Sequence, residues 1–415
     1  MRNVIMKLFE FHKGGHRRGY LSEIVVVLTL VGYQAIAPIS LLLDVPNRFI
    51  SIPLRATILG LALFIIFKRL FIKKNMPSGL MWFFLSLFWG LYFGRMILDS
   101  IFSPEVLRLS LGEYILSGIG ICFLPALAIA ISPPKAIWFL LRWVLIIGFF
   151  AVIFNLLLIQ KQGSVDDLMS LLVKRQATET LSTISLGDLG VMVVLLGIWA
   201  IFQQSYSHFL KKIYFACTIM VGLMAAIIAG SRGPVLSLLV LLPLLAYELF
   251  RNQRMTFDYL IKLIWSIVLV LPAVSYLLIH IHEFEGFNRI QSGLFSDDIR
   301  VRLLQLGLDS FYSHPLLGSG IEPLGFYPHN VILESFMLYG VISGFLFVGL
   351  LGYATYCAFW RYLYTPESAW ISILFFQAVI ISMVSGSLYG SASMWSLMVL
   401  VVVANKGSME SIDVG

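Results

Sequence analysis

Residues 136–160 read AIWFLLRWVLIIGFFAVIFNLLLIQ, and Arg142 is the only charged residue among them. An α-helix rises about 1.5 Å per residue, so about 20 apolar residues cross the roughly 30 Å of hydrocarbon in a bilayer. A strand of a membrane barrel would instead alternate apolar and polar residues over about 10 positions. This run is continuous and too long for such a strand, so it reads as a membrane-spanning helix.

Stretches like it recur from one end of the chain to the other. The 415 residues are 59% hydrophobic and 12% charged, where a soluble domain carries about 25% charge. These properties exclude a soluble enzyme and imply an all-α polytopic membrane protein with about 12 transmembrane helices. The spans are expected at 21–43, 49–67, 78–98, 109–131, 136–160, 186–203, 213–229, 234–250, 259–281, 331–360, 368–385 and 388–404. No internal repeat or low-complexity tract divides the chain, so residues 1–415 are expected to form a single membrane domain. Cys122, Cys217 and Cys357 all fall in apolar segments without metal or disulfide spacing and read as packing residues. The first apolar run follows Lys7, Lys13, Arg17 and Arg18 and lacks an A-x-A cleavage site, so it reads as a retained signal-anchor helix.

Lysine and arginine in short loops set orientation. The basic N-terminus and the loop bearing Lys68, Arg69, Lys73 and Lys74 are separated by two crossings, so both are expected on the cytoplasmic side. The same parity places Lys135, Lys211, Lys212, Arg251, Arg254, Arg361 and Lys406 there, with both termini inside. Of the lysines, only Lys161 and Lys174 fall outside; the other outer basic residues are arginines. Arginine is a planar fork suited to bidentate binding of phosphate or carboxylate, whereas lysine is a point charge. The +7 net charge is thereby accounted for by topology, and no nucleic-acid partner is expected. Two outer loops are long. Residues 161–185 carry an amphipathic patch suited to a short interfacial helix. Residues 282–330 contain a helical apolar pattern at Val301, Leu304, Leu308 and Phe311 and end in a Gly- and Pro-rich stretch.

Several residues on that outer face are candidates for chemistry. In GSRGPVLSLLV, residues 230–240, Arg232 lies between two glycines. It reads either as a snorkelling arginine, with Ser231 capping the next helix and Pro234 in its first turn, or as an anion site that small neighbours leave open. In the second case the helix N-terminus adds its positive dipole end. Arg300 and Arg302 lie beside Asp297 and Asp298, where a local charge cluster is the ordinary reading, more so for Arg302. His329 in FYPHNVILESF precedes a helix for which Asn330 is an N-cap candidate. A neutral histidine near two arginines resists protonation, which suits a general base at neutral pH. Phe326 and Tyr327 offer an aromatic platform to a sugar ring or pack at the interface. Asp99, Asp188, Glu113 and Glu334 stand near outer helix ends and read as interface charges. No paired-carboxylate motif, phosphate-cradling glycine loop or metal-ligand spacing is present.

Three of these segments carry a family resemblance. GSRGPVLSLLV resembles the Ser-Arg-Gly segment of the O-antigen ligase and polymerase superfamily of bacterial envelope enzymes. RVRLLQLGLDSFYSHPLLGSGI, from Arg300, resembles that family's arginine followed by an HPLLGxG turn. HNVILESFMLYGVISG, from His329, resembles its HNxxLe…G…G start of a late helix. The three occur in the family's order, over about residues 230–345; the N-terminal half is similar only in hydropathy and topology. Leu304 stands where the family often has tryptophan, and the short gap from Arg300 to His329 makes the outer loop compact.

The resemblance implies a polytopic inner-membrane glycosyltransferase with a periplasmic active site and an undecaprenyl-diphosphate-linked glycan as donor. It implies that Arg232 and Arg300 hold the diphosphate and that His329 activates or orients the acceptor hydroxyl. Tyr327 and Asn330 flank that histidine as substrate contacts. Inversion at the anomeric centre follows, with no metal and no cofactor. Arg175 is a further candidate phosphate contact that matches no motif. The acceptor is either another lipid-linked repeat, as for a polymerase, or a lipid A core, as for a ligase. A chain-length regulator is a possible partner of the former. A flippase of lipid-linked sugars shares the topology but would place charges along a path through the helices, and here the cytoplasmic halves are nearly uncharged.

Overall fold

The computed structural model describes residues 20–73, 80–104, 107–162, 181–203, 209–251, 299–323, 325 and 327–409. Among them the chain is helical, without strands. We number the helices α1 (Leu21–Leu42), α2 (Arg48–Lys68), α3 (Leu80–Phe102), α4 (Leu111–Ile131), α5 (Ile137–Gln162) and α6 (Thr183–Gln203). They continue with α7 (Phe209–Ala229), α8 (Arg232–Arg251), α9 (Ile299–Ser313), α10 (Val331–Tyr364), α11 (Ala369–Ser385) and α12 (Ala392–Met409). Eight of the described helices are long and apolar enough to cross a membrane, and α7, α8 and α12 are shorter apolar helices. The chain is an integral membrane protein. Eleven of the twelve expected spans coincide with helices, whereas 259–281 lies outside the described residues. Residues 163–180, with Arg175, and 282–298 lie outside them too.

Large aromatic side chains and close glycine contacts fill the bundle. Trp89, Trp199, Trp370 and Trp395 are fully buried, and Trp89 and Trp395 meet at 5.0 Å between ring centroids. Helices α6 and α7 approach so closely that a Cβ on Gly190 would lie 2.6 Å from the Gly222 carbonyl oxygen; one on Gly222 would lie 2.7 Å from that of Gly190. In lipid, where apolar side chains gain nothing by leaving the solvent, small residues that let backbones touch are what holds helices together.

At one end of the bundle, the buried Glu23 of α1 accepts the backbone N–H groups of Lys135 and Ala136 just before α5. The opposite end gathers the C-termini of α3 and α11 and the N-termini of α4, α8, α10 and α12, together with α9 and the loop that follows it. The expected outer carboxylates lie here, and each has a partner. Asp99 pairs with Arg95 at 2.7 Å, and Glu113 closes a capping box with Ser110. Asp188 accepts the Gln377 amide at 2.7 Å, and Glu334 is 1% exposed. A buried carboxylate is tolerated only with partners, and Glu334 has the Leu388 amide, whereas Glu113 is exposed.

Helix α10 is broken at Tyr339 (φ −136°, ψ 43°) and Gly340 (φ 57°, ψ −141°). Backbone freed at membrane depth must find partners within the protein, and the turn after α9 provides them. The Met337 carbonyl accepts from the Ser319 and Gly320 amides at 2.8 and 3.1 Å, and the Val341 amide donates to the Pro315 carbonyl at 2.8 Å. The Ser343 hydroxyl bridges the interrupted turn, accepting from the Tyr339 amide at 2.8 Å and donating to the Ser335 carbonyl at 2.6 Å. Arg95 clasps the turn from α3 by donating to the Leu317 carbonyl at 3.1 Å, and Asp99 accepts the Ile321 amide at 2.9 Å. The HPLLGSG turn, residues 314–320, is thus built into α10.

Candidate functional site

His329 stands between this turn and the start of α10. Its backbone lies in the left-handed region (φ 56°), a conformation that costs a non-glycine residue of order 1–3 kcal/mol and persists only where the surroundings impose it. Asn330 imposes it from one side. As the N-cap of α10, its side-chain oxygen accepts the Leu333 amide at 3.0 Å, and its amide nitrogen donates to the Met383 carbonyl of α11 at 3.1 Å. Asn330 therefore fixes the helix start against the end of α11, and both ends of its side chain are engaged in doing so.

The His329 ring is half-buried. It packs at 4.4 Å, centroid to centroid, against Tyr327, with the backbone of Ser385 alongside. Burial pushes its pKa below the ordinary value. The Ser385 backbone opposes that shift, and the positive charges of Arg300 and Arg108 add to it. The imidazole is thus held neutral, the form that accepts a proton. Its Nδ1 has no hydrogen-bond partner among the described residues.

Of the two candidate arginines, Arg300 acts on this histidine through its charge, and Arg232 lies at the start of a helix that packs near it. Arg300 lies in the first turn of α9, and its charge reaches the His329 ring. Arg232 opens α8. The neighbouring Gly233 lies where a Cβ would meet Val384 and Ser385 at 3.7 and 3.9 Å, which brings the start of α8 to the end of α11 that His329 touches. Ser231 is buried just before the helix, and its carbonyl accepts the Val235 amide at 3.4 Å. Tyr327 is the aromatic neighbour of His329, whereas Phe326 and Arg175 lie outside the described residues.

Residues 215–348 match the family model described as O-antigen ligase. Over that segment the chain is similar to the O-antigen ligase family. No curated protein and no solved structure matches it. The matched segment contains Arg232, Arg300, His329 and the break in α10, and the match supports an enzyme of the ligase or polymerase type.

The sequence marks Asp99 and Glu334 as outer charges but not the contacts that they and their neighbours make. Arg108, in the loop between α3 and α4, stacks over Tyr327 at 5.7 Å. Arg95 and Asp99 hold the turn after α9. Glu322, 1% exposed, accepts the hydroxyls of Tyr114 and Tyr389, the latter at 3.3 Å, and the Arg108 amide at 3.3 Å. Glu334 accepts the Leu388 amide at 2.8 Å. These two buried acids pin the 386–391 segment beside the histidine. Nothing in the spacing of the chain reports these pairings, since each acid takes its partners from segments remote in sequence.

Proposed function

We propose that this protein is an inverting glycosyltransferase of the inner membrane. It acts at the periplasmic face on undecaprenyl-diphosphate-linked glycans and polymerises O-antigen or exopolysaccharide repeat units. The observation that carries the reading is a neutral histidine under the charge of Arg300, with the α8 start that bears Arg232 beside the neighbouring Ser385; Arg232, Arg300 and His329 all lie in the segment matching the O-antigen ligase model. Arg232 and Arg300 bind the donor diphosphate and neutralise the charge that builds on it as the glycosidic carbon–oxygen bond breaks. His329 takes the proton of the acceptor hydroxyl as that oxygen attacks the anomeric carbon from the face opposite the diphosphate. Asn330 and the left-handed backbone fix the imidazole in place. Two guanidinium forks supply the positive charge, so the reaction needs no divalent metal.

The compact segment between Arg300 and His329 offers little structure for recognising a lipid A core, which favours a second lipid-linked repeat as acceptor. The test is incubation of purified protein in detergent with a lipid-linked oligosaccharide and added chelator. Longer glycan on the lipid carrier supports the polymerase, and transfer that requires an added lipid A core supports the ligase. Movement of lipid-linked sugar across a vesicle membrane without any new glycosidic bond would overturn the enzyme in favour of a flippase.

A further inference from the structure

The site contains a third outer arginine that the reaction above does not use. Arg108 is exposed, yet its position is fixed. Its backbone amide donates to the buried Glu322, and two residues later the Ser110–Glu113 capping box starts α4. The guanidinium carbon lies 5.7 Å from the centroid of the Tyr327 ring. The Glu322 oxygens already accept the Tyr114 and Tyr389 hydroxyls and the Arg108 amide. No ion pair holds Arg108 among the described residues, where Arg95–Asp99 is the salt bridge present. An arginine stacked on an aromatic ring loses side-chain freedom but keeps its remaining N–H donors, and so is pre-organised for an anion.

Its placement relative to the base says which substrate it faces. Neighbour contacts link Gly233, beside Arg232, to Ser385, then His329, Tyr327 and Arg108. In that series of contacts the proton-accepting ring comes between the α8 start and Arg108. In a displacement the leaving diphosphate and the attacking hydroxyl lie on opposite sides of the reacting carbon. With the diphosphate at Arg232, the Tyr327–Arg108 flank is left to the acceptor. We propose that Arg108, oriented by Tyr327, forms an acceptor subsite that takes an anionic group of the acceptor glycan, a sugar carboxylate or a sugar phosphate. The naming of the flanks rests on the transferase reading above; the anion site itself does not.

The test is calorimetric binding to the purified full-length protein in nanodiscs. Three soluble probes are used: a trisaccharide ending in glucuronate, its methyl ester, and the same trisaccharide ending in a 6-phosphate. The wild type is expected to bind at least one charged probe about tenfold more tightly than the ester, the scale of one charge-assisted hydrogen bond. The tighter of the two charged probes identifies the group. Arg108→Gln should abolish the preference while leaving the affinity for inorganic pyrophosphate unchanged, and Arg302→Gln should keep both. Equal binding of all three probes by the wild type, or a preference that survives Arg108→Gln, overturns the proposal. So does a loss of pyrophosphate binding in Arg108→Gln as large as that in Arg300→Lys, which would make Arg108 part of the diphosphate clamp. A wild type that shows the charge preference but forms no glycosidic bond would sink the transferase reading and leave the anion site standing.

Discussion

The backbone amide of Val341 donates to the carbonyl of Pro315 at 2.8 Å, and this bond ties the turn after α9 to the break in α10. Gly340 sits at φ 57° against that same carbonyl. A methyl group there would meet the Pro315 oxygen directly, in a region of φ that side chains disfavour. Gly340→Ala is therefore expected to destabilise the protein by about 2–4 kcal/mol, by a clash and by strain at a special backbone conformation. Ser343→Ala removes the hydroxyl that bridges Tyr339 and Ser335 and should cost about 1–3 kcal/mol, since it leaves buried backbone groups unsatisfied. Thermal melting in detergent, monitored by intrinsic tryptophan fluorescence, checks both. A Gly340→Ala protein with unchanged melting would show that the break is not needed for the fold.

The paired arginines predict a charge-conserving test. Lysine keeps the positive charge of Arg232 or Arg300 and loses the fork, so Arg232→Lys and Arg300→Lys should each lower the transfer rate about 100-fold, the scale of removing one aimed donor. Protein level should stay near normal. Arg302 is exposed on α9, and Arg302→Lys should change the rate by less than about twofold, as surface substitutions away from a site generally do. Full activity in both of the first two variants would reduce the arginines to a general positive field.

How far the sequence reaches depends on the range of the interaction that shapes each part. Apolar runs are local, so residues 137–162 and 331–364 form helices close to where hydropathy puts them. Asn330 caps α10, and α9 forms over the apolar spacing at 301–311, because capping and helical periodicity are also read within a few residues. The break at Gly340 is different. Its cause is Pro315 and Ser319, more than twenty positions earlier, and a continuous apolar pattern across 331–360 hides it. Glu334 was misread for the same reason: position at a helix end suggested a surface charge, and only the fold brings the Leu388 amide to it. Arg108 and Tyr327 meet across more than two hundred residues, beyond anything that spacing reports.

The contact between α6 and α7 gives a prediction about assembly alone. A Cβ on either Gly190 or Gly222 would lie within 2.7 Å of a facing carbonyl oxygen, so neither helix can admit a larger residue without separating. Gly190→Leu should destabilise the protein by about 3 kcal/mol or more by overpacking, whereas Gly60→Leu, at a position with nothing within 4 Å of an added Cβ, should be near neutral. Size-exclusion profiles in mild detergent after a heat challenge separate the two. Equal survival would place the α6–α7 crossing further apart than described.

Topology can be tested at the two ends of the bundle. Tyr312 on α9 is 70% exposed, and Glu367, between α10 and α11, is exposed at the other end. In a cysteine-free background, Tyr312→Cys should react with a membrane-impermeant maleimide in cells whose outer membrane has been permeabilised. Glu367→Cys should react only after the inner membrane is opened. The reverse pattern would put His329 on the cytoplasmic side and remove the periplasmic transferase.

The pH dependence of transfer follows from the electrostatics of His329. Its pKa is lowered from the ordinary value of 6.5, first by burial and then by Arg300 and Arg108, against the pull of the Ser385 backbone. The base is active when neutral, so the rate should be flat at and above neutral pH and fall only on the acid side, with a midpoint below 6.5. Removing a nearby positive charge relieves one of the causes of the shift. Arg108→Gln should therefore move the acid limb to higher pH, and a variant at Arg302 should leave it in place. His329→Ala should lower the rate about 10²–10⁴-fold at the plateau and abolish the limb, while binding of inorganic pyrophosphate survives because the arginines hold it. The measurement is the initial rate of glycan transfer with saturating donor from pH 5 to 8, in buffers of constant ionic strength. An acid limb that persists unchanged in His329→Ala would assign the titration to another group and leave the histidine a structural role at the start of α10.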